Sequence, residues 1–378
     1  MLTFKHSKLL LILLFSCIYS FGQIPLDKKA TISILTCEKG DELYSLFGHT
    51  AIRIQDPTND LDVIYNYGAF DFATENFYVK FIKGDLQYFA TANPFNEFLF
   101  QYTQENRSIV EQKLLLTQNQ KQELFEILNK SLLSDEKYYT YKFIDRNCTN
   151  MVSNKINLIL NQKCIVKNTE RGMTYREILF PYIENHFYEN LGINIIFGKK
   201  VDQDGTTLFL PTQLMESLKV SKYNGRLIAA APKTILKAIK LEQKKSVWNN
   251  FYSFCLIFIL LILSRKIWVY LSYFIVISIL GFFLTGVGFY SFHEEVSLNY
   301  NVLLFNPFLL VLVICFLKKK YLWVIRIAQF SIVALTTYLL ILINKPNFLM
   351  FMPMIICSYI LLLNFHKRSK KELLTTVK

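Results

Sequence analysis

The sequence predicts an exported α+β domain with an antiparallel sheet, followed by an all-α bundle of about five transmembrane helices. Three features predict this: an apolar run at the N-terminus, a polar stretch with mixed strand and helix patterns, and long apolar runs in the C-terminal third. Charge divides the chain similarly, since residues 23–246 carry 28 Lys and Arg against 26 Asp and Glu, and residues 247–378 carry 12 against 3. The excess positive charge therefore lies beside apolar segments. Nucleic-acid binding requires a concentrated basic face on a soluble domain, and the nearly balanced charge of residues 23–246 does not favour it.

Residues 1–22 are typical of a signal peptide. Lys5 and Lys8 precede an apolar run that extends from Leu9 to Phe15, and small residues occur before Gln23. A charged start, a short apolar centre and small residues at the cleavage position are the features of secretory signals. The alternative is an uncleaved anchor. In both cases residues 23–246 are predicted to be exported.

The exported domain combines two kinds of hydrophobic period. Alternating apolar residues and turn signals predict strands, and apolar residues three and four apart predict helices. The predicted strands are Ala30–Leu35, Thr50–Gln55, Val63–Tyr67, Phe77–Ile82 and Leu86–Ala90, of which the second and third form a hairpin. The predicted helices are Thr117–Leu133 and Cys148–Leu160. A domain of this composition favours an antiparallel sheet with packed helices.

The membrane part is predicted at residues 247–366. It contains five apolar runs: Phe251–Leu263, Ile267–Tyr290, Val302–Leu317, Tyr321–Ile343 and Phe348–Leu363. A helix needs roughly 20 apolar residues to cross a bilayer, and the first and third runs are expected to extend into their flanks to reach that length. The connections after the first, third and fifth runs are basic, and basic connections stay in the cytoplasm. We therefore expect an inner-membrane protein with a periplasmic N-terminal domain and a basic cytoplasmic tail at residues 367–378.

Cys148 and His49 are the candidate nucleophile and base. The sequence has no Gly-rich phosphate loop, no G-x-S-x-G elbow and no zinc-binding motif, so neither a cofactor nor a metal is predicted. Cys148 follows Asn147 at the start of a predicted helix, where free N–H groups and the helix dipole stabilise a thiolate or an oxyanion. A buried structural cysteine and a core histidine remain the alternative interpretation.

Several motifs follow one another along the chain. The first block runs from Leu35 to Arg53 and includes Phe-Gly-His49-Thr. The later blocks are Asn66–Phe72, Phe81–Gly84, Glu111-Gln112, Asn147-Cys148-Thr149, Thr174–Arg176 and Phe209–Pro211, followed by a segment with His293 and Asn299–Asn301. In content and order these blocks resemble the Lnb-type lipoprotein N-acyltransferases, and the last segment resembles the membrane-half loop of that family. The resemblance implies a circularly permuted papain-like fold. One departure is Arg146, which stands where the family usually has Asp before Asn-Cys.

The resemblance also implies an activity. Cys148 would accept an acyl chain from a phospholipid as a thioester and pass it to the N-terminal amine of a diacylglyceryl-cysteine lipoprotein. The implied partners are a phospholipid acyl donor, a lipidated protein acceptor and the membrane. Two other functions remain open. One is a membrane-tethered cysteine peptidase or amidase acting on the cell envelope, and the other is a non-catalytic envelope assembly factor.

Supporting roles are predicted for six residues around the Cys–His pair. A third residue should orient the histidine; we expect Asn66 to do so, with Tyr67 as the fallback. Asn147 and Thr149 are expected to support the site or hold an oxyanion. His293 and Asn301 are expected to help close the site or present a lipid. Cys37 and Cys164 share the exported domain with Cys148, and we expect no bridge between them because the intervening helix separates them.

Overall fold

The computed structural model describes residues 25–183, 186–239 and 246–376. The predicted signal peptide, residues 1–22, lies outside the described residues. Within them, a sheet domain precedes a helical C-terminal part, as the sequence predicted. The circularly permuted papain-like arrangement stays a prediction.

A seven-stranded antiparallel sheet forms the centre of the N-terminal domain. The strands are β1 Thr31–Cys37, β2 His49–Asp56, β3 Leu61–Ala69, β4 Gln87–Pro94, β5 Ile109–Lys113 and β6 Tyr138–Thr140, with β7 Lys222–Tyr223 and β8 Arg226–Leu227 in a separate pair and β9 Lys233–Leu236 at one edge. The order across the large sheet is β6-β4-β3-β2-β1-β5-β9. The predicted hairpin is confirmed, because β2 pairs antiparallel to β3 with Ala51 opposite Asn66.

One predicted strand is wrong. Residues 77–82 belong to a short helix, α1 Phe77–Lys83. Asn76 and Gly84 both take left-handed backbone conformations at its ends, and the Gly84 N–H donates to the carbonyls of Lys80 and Phe81 to close the last turn. The segment is apolar at nearly every position, and such a short run does not distinguish a strand from a helix by period.

The other helices of the domain pack around the sheet. They are α2 Phe95–Gln104, α3 Gln118–Leu133, α4 Cys148–Ile159, α5 Tyr175–Leu179, α6 Phe187–Ile196 and α7 Pro211–Leu218. Helices α3 and α4 confirm the two that the sequence predicted. Val152 and Ile156 of α4 pack in one buried cluster with Ile52 and Ile54 of β2, so α4 lies against the strand that begins with His49.

The C-terminal part consists of apolar helices. They are α8 Phe251–Leu263, α9 Ile267–Tyr290, α10 Phe308–Leu317, α11 Tyr321–Leu342 and α12 Phe348–Thr376. Within the described residues, four segments are long and apolar enough to cross a membrane: Ile267–Tyr290, Glu294–Leu317, Tyr321–Leu342 and Phe348–Thr375. At 1.5 Å per residue α8 is about 20 Å long, less than the roughly 30 Å of hydrocarbon. Four spans are therefore supported, and the fifth stays a prediction.

A buried polar cluster joins the two parts. The Arg176 guanidinium lies 2.7 Å from the Asp202 carboxylate, which also accepts from the Tyr300 hydroxyl at 2.8 Å. Lys345, in the connection between α11 and α12, lies 2.8 Å from the same carboxylate. The segments around residues 300 and 345 therefore face the N-terminal domain, as expected if both connections are external.

Candidate active site

The start of α4 is fixed by two asparagines. The Asn147 side chain accepts from the N–H groups of Thr149 at 2.9 Å and Asn150 at 3.3 Å. The Asn150 side chain accepts in return from the Asn147 N–H at 2.6 Å. This reciprocal cap satisfies N–H groups that the first helical turn leaves free, and it places Cys148 at the first helical position.

Asn147 positions the site and has no donor left for an oxyanion. Its amide nitrogen donates to the carbonyls of Phe143 at 2.7 Å and Phe209 at 2.8 Å, which uses both of its hydrogens. The Cys148 N–H, by contrast, has no acceptor among the described residues. It is the group at this helix end that could hold an oxyanion next to the sulfur.

His49 contacts both residues that the sequence predicted for it. Its Nε2 lies 3.1 Å from the Asn66 Oδ1 on the adjacent strand β3. The Cys148 thiol lies close enough to the ring for each group to shift the pKa of the other. With Nε2 at Asn66, Nδ1 is the nitrogen available to the sulfur. The structure thus brings together Cys148, His49 and Asn66 from a helix start and two neighbouring strands.

The pKa values of Cys148 and His49 are shifted in opposite directions. Burial alone would raise the pKa of the Cys148 thiol. The adjacent His49 charge opposes this effect, as do hydrogen bonds from His49, the Thr50 N–H and the Thr149 hydroxyl. Together these interactions outweigh burial, and the pKa of Cys148 is lowered. Burial lowers the pKa of His49, but the Cys148 charge and hydrogen bonds to Cys148 and Asn66 raise it above its ordinary value. Both shifts favour a thiolate beside an imidazolium, which is the reactive form of a nucleophilic cysteine.

Thr149 and Tyr67 have different surroundings. The Thr149 hydroxyl lies 3.9 Å from the Cys148 sulfur and 3.2 Å from the Thr50 hydroxyl, so it supports the thiol from inside the fold. Tyr67 is buried in the main core, with its ring 6.4 Å from that of Tyr139. Its position in the core gives it no direct part in orienting His49.

His293 binds the end of α1 and does not reach the thiol. Its Nε2 lies 3.0 Å from the Phe81 carbonyl. The hydroxyl of Ser291 donates to the Ile82 carbonyl at 2.7 Å, and the Phe292 N–H donates to the Lys83 carbonyl at 2.7 Å. The segment after α9 is therefore attached to α1 at three points.

Asn301 lies in the junction between the two parts of the chain. Its amide nitrogen donates to the carbonyls of Asn194 at 2.9 Å and Ile195 at 2.8 Å, and its oxygen accepts from the Tyr338 hydroxyl at 2.8 Å. It is fully buried. Asn301 thus holds the end of α6 against α11, away from the Cys–His pair.

Glu295 is a functional candidate that sequence reasoning missed. Its buried carboxylate accepts from the Ile144 N–H at 3.1 Å, and the Ile144 carbonyl accepts from the Asn150 amide at 2.7 Å. A residue of the membrane half therefore holds the segment that leads into Cys148. The two partners are 151 positions apart, and no local pattern in the sequence pairs them.

The departure at Arg146 leaves this geometry in place. Its guanidinium lies 5.4 Å from the centre of the Tyr139 ring. Asp145 is directed elsewhere, with its carboxylate 3.6 Å from the Lys200 amine. The cap at Asn147 uses neither side chain.

Cys37 and Cys164 are both free, buried thiols. Cys37 lies directly opposite His49 in the register of β1 and β2, and burial raises its pKa to about 12. A thiol that remains protonated at neutral pH is a weak nucleophile, so Cys148 is distinct from it. In the part of the chain that the structure describes, no group of three or more His, Cys, Asp or Glu side chains could hold a metal ion.

The N-terminal domain matches a known protein family. Residues 23–179 match the family described as the Lnb N-terminal periplasmic domain, a stretch that includes His49, Asn66 and Cys148. No curated protein and no solved structure matches the chain. The match and the four membrane-capable helices together support an Lnb-like membrane protein with a periplasmic N-terminal domain.

Proposed function

We propose that this protein is a thiol-dependent acyltransferase. It moves an acyl chain from a phospholipid to the N-terminal amine of a diacylglyceryl-cysteine lipoprotein. The observation that carries the proposal is Cys148 at a helix start beside His49, whose ring is in turn held by Asn66. The substrate class is the one that the resemblance to the Lnb-type lipoprotein N-acyltransferases implies, and the match of residues 23–179 to the Lnb N-terminal periplasmic domain supports that resemblance.

The first half-reaction forms a thioester. The Cys148 thiolate attacks the carbonyl carbon of the phospholipid ester, and the Cys148 N–H donates to the oxyanion that develops. The carbon–oxygen bond of the ester then breaks, and His49 gives its proton to the leaving alkoxide. Lysophospholipid departs, and the acyl chain stays on the sulfur.

The second half-reaction forms an amide. The free α-amine of the lipidated cysteine attacks the thioester, and His49 accepts the proton that the amine loses. The carbon–sulfur bond breaks and restores the thiolate beside the protonated histidine. Two covalent steps through one nucleophile predict ping-pong kinetics.

The attachment to the membrane half favours lipid substrates over cell-wall substrates. Glu295 holds the segment before Cys148, and the Arg176 cluster joins the domain to the apolar helices. A peptidase or amidase would need only a tether, whereas two lipid-anchored substrates require a fixed orientation toward the bilayer. The extensive buried contacts fit the second requirement.

A reconstituted assay tests the proposal. The purified full chain in phospholipid vesicles is mixed with a synthetic peptide whose N-terminal cysteine carries diacylglycerol. Mass spectrometry should find one added acyl chain on the peptide amine, one lost from phospholipid, and a hydroxylamine-sensitive acyl group on Cys148. Cys148→Ser should abolish transfer, and Cys164→Ser should retain it. An unmodified amine with cleavage of amide bonds, or full transfer by Cys148→Ser, would contradict the proposal.

A further inference from the structure

Helix α1 presents an apolar surface that the rest of the domain leaves uncovered. None of its residues is fully buried. Tyr78 is 73% exposed, Val79 and Phe81 are also exposed, and Phe72 just before the helix is 65% exposed. Contiguous exposed apolar side chains on a folded domain mark a surface that contacts a partner or a membrane.

This apolar surface continues into the end of a membrane-capable helix. Helix α9 ends at Tyr290, and Phe289, Tyr290 and Phe292 are exposed there. The carbonyls of Ile82 and Lys83 accept from residues 291 and 292. Aromatic side chains collect at the level where a helix leaves the hydrocarbon, so α1 lies at that level too.

Close contact between the two segments depends on Gly84. This residue has a φ of +78°, and an added Cβ would lie 2.9 Å from the His293 ring. The Lys83 amine lies 5.8 Å from the Tyr290 ring and 5.5 Å from the Phe292 ring. Lys and Tyr side chains at the end of a membrane-capable helix are typical anchors at the bilayer interface.

A row of aromatic rings leads from this surface into the domain. The ring centres are separated by 6.3 Å for Phe81 and Phe77, 5.9 Å for Phe77 and Phe70, 5.3 Å for Phe70 and Tyr88, and 4.4 Å for Tyr88 and Tyr141. Tyr141 and Cys148 pack on the same buried cluster.

We propose that α1 inserts into the outer leaflet of the membrane and that this row of rings guides an acyl chain of a glycerophospholipid to Cys148. The occupant is the hydrocarbon chain, because the row is apolar and begins where α9 leaves the bilayer. Insertion of α1 is independent of the reaction. The destination of the chain rests on the proposed function.

Insertion is measured without any turnover. Tyr78→Trp and, as a control, Phe100→Trp are prepared in a chain whose three native tryptophans are replaced by phenylalanine. Phe100 is 66% exposed on α2, outside the α1 surface. In nanodiscs of phospholipid with brominated acyl chains, the tryptophan at position 78 should be quenched and the one at position 100 should not. Equal quenching at both positions, or none at 78, would overturn insertion.

Guidance of the acyl chain along the row of rings is tested with two acyl donors. Phe81→Ser removes the exposed first ring of the row without opening the core, and Phe100→Ser is the matched control. Acylation of Cys148 from phospholipid vesicles should fall roughly tenfold in Phe81→Ser. Acylation from water-soluble p-nitrophenyl butyrate should stay unchanged. Equal loss with both donors, or no loss with vesicles, would overturn guidance.

The two proposals fail in different ways. If the wild-type chain forms no thioester with either donor, the proposed function and the destination of the chain both fail. Quenching at position 78 would still decide whether α1 lies in the membrane.

Discussion

Replacing Asn66 with alanine should slow the chemistry of Cys148 by one to two orders of magnitude. The substitution removes the oxygen that lies 3.1 Å from the His49 Nε2. In the reactive state His49 is positively charged, and a hydrogen bond to a charged group contributes about 1.5–3 kcal/mol. If the transition state loses that amount, the rate falls about 10- to 150-fold.

Alkylation of Cys148 by iodoacetamide provides the assay, with the Cys148 peptide quantified by mass spectrometry across a pH series. The hydrogen bond to Asn66 is one of the contributions that raise the pKa of His49. Its loss lowers that pKa, and a less charged imidazole then stabilises the thiolate less. The pKa of Cys148 therefore rises, and the midpoint of alkylation should move to higher pH.

A second asparagine supplies the matched control. The Asn129 side chain accepts from the Tyr65 hydroxyl at 2.8 Å, so Asn129→Ala removes a similar bond elsewhere in the domain. It should leave the rate and midpoint at Cys148 unchanged. Asn66→Asp keeps an acceptor and should retain most of the activity. A wild-type rate and midpoint in a folded Asn66→Ala chain would refute the orienting role.

Three other outcomes are expected. In the wild-type chain, alkylation of Cys148 should persist below pH 9.0, which is the pKa of an ordinary thiol, and should decline only as the pH falls through the lowered pKa of Cys148. In the same titration, His49→Ala should move that decline to higher pH. Asn147→Ala should destabilise the domain by about 1–2 kcal/mol through loss of the helix cap, measured by denaturant unfolding, and a smaller change would contradict the capping role. Glu295→Ala should lower both thermal stability and the alkylation rate, because a buried N–H loses its acceptor, whereas Glu294→Ala at the exposed neighbour should change neither.

The parts of the fold that depend on local patterns were predictable from the sequence. Alternating apolar residues identified the β2–β3 hairpin, and that hairpin places Asn66 on the strand beside His49. The helix period and the Asn147-Cys148 junction identified the start of α4. Each of these signals lies within about twenty consecutive residues.

The parts that depend on long-range contacts were not predictable. The apolar pattern of residues 77–82 predicts a strand, but the conformation of α1 is fixed by its left-handed ends and by contacts with the segment after α9. Glu295 was missed because its partner is remote in sequence. The family resemblance predicts that His293 and Asn301 help to close the site or present a lipid, and only the three-dimensional contacts show that His293 binds α1 and Asn301 binds α6.

The contacts at the two ends of α8 are better evidence than its length for whether this helix crosses the membrane as a fifth span. Its start is held on the side of the N-terminal domain, since the Asn249 side chain accepts from the Tyr188 N–H at 2.8 Å. Its end leads through Arg265 to the start of α9, a helix about 36 Å long whose far end contacts α1.

If α9 crosses the bilayer, its two ends lie on opposite faces, and α8 should connect those faces despite its 13 residues. A short apolar helix can cross where the bilayer thins or polar flanks extend toward the surface. We therefore expect a reporter fused after Ser264 to be cytoplasmic and one inserted within residues 291–299 to be periplasmic. A periplasmic reporter after Ser264 would contradict five spans and would leave α8 on the outer surface.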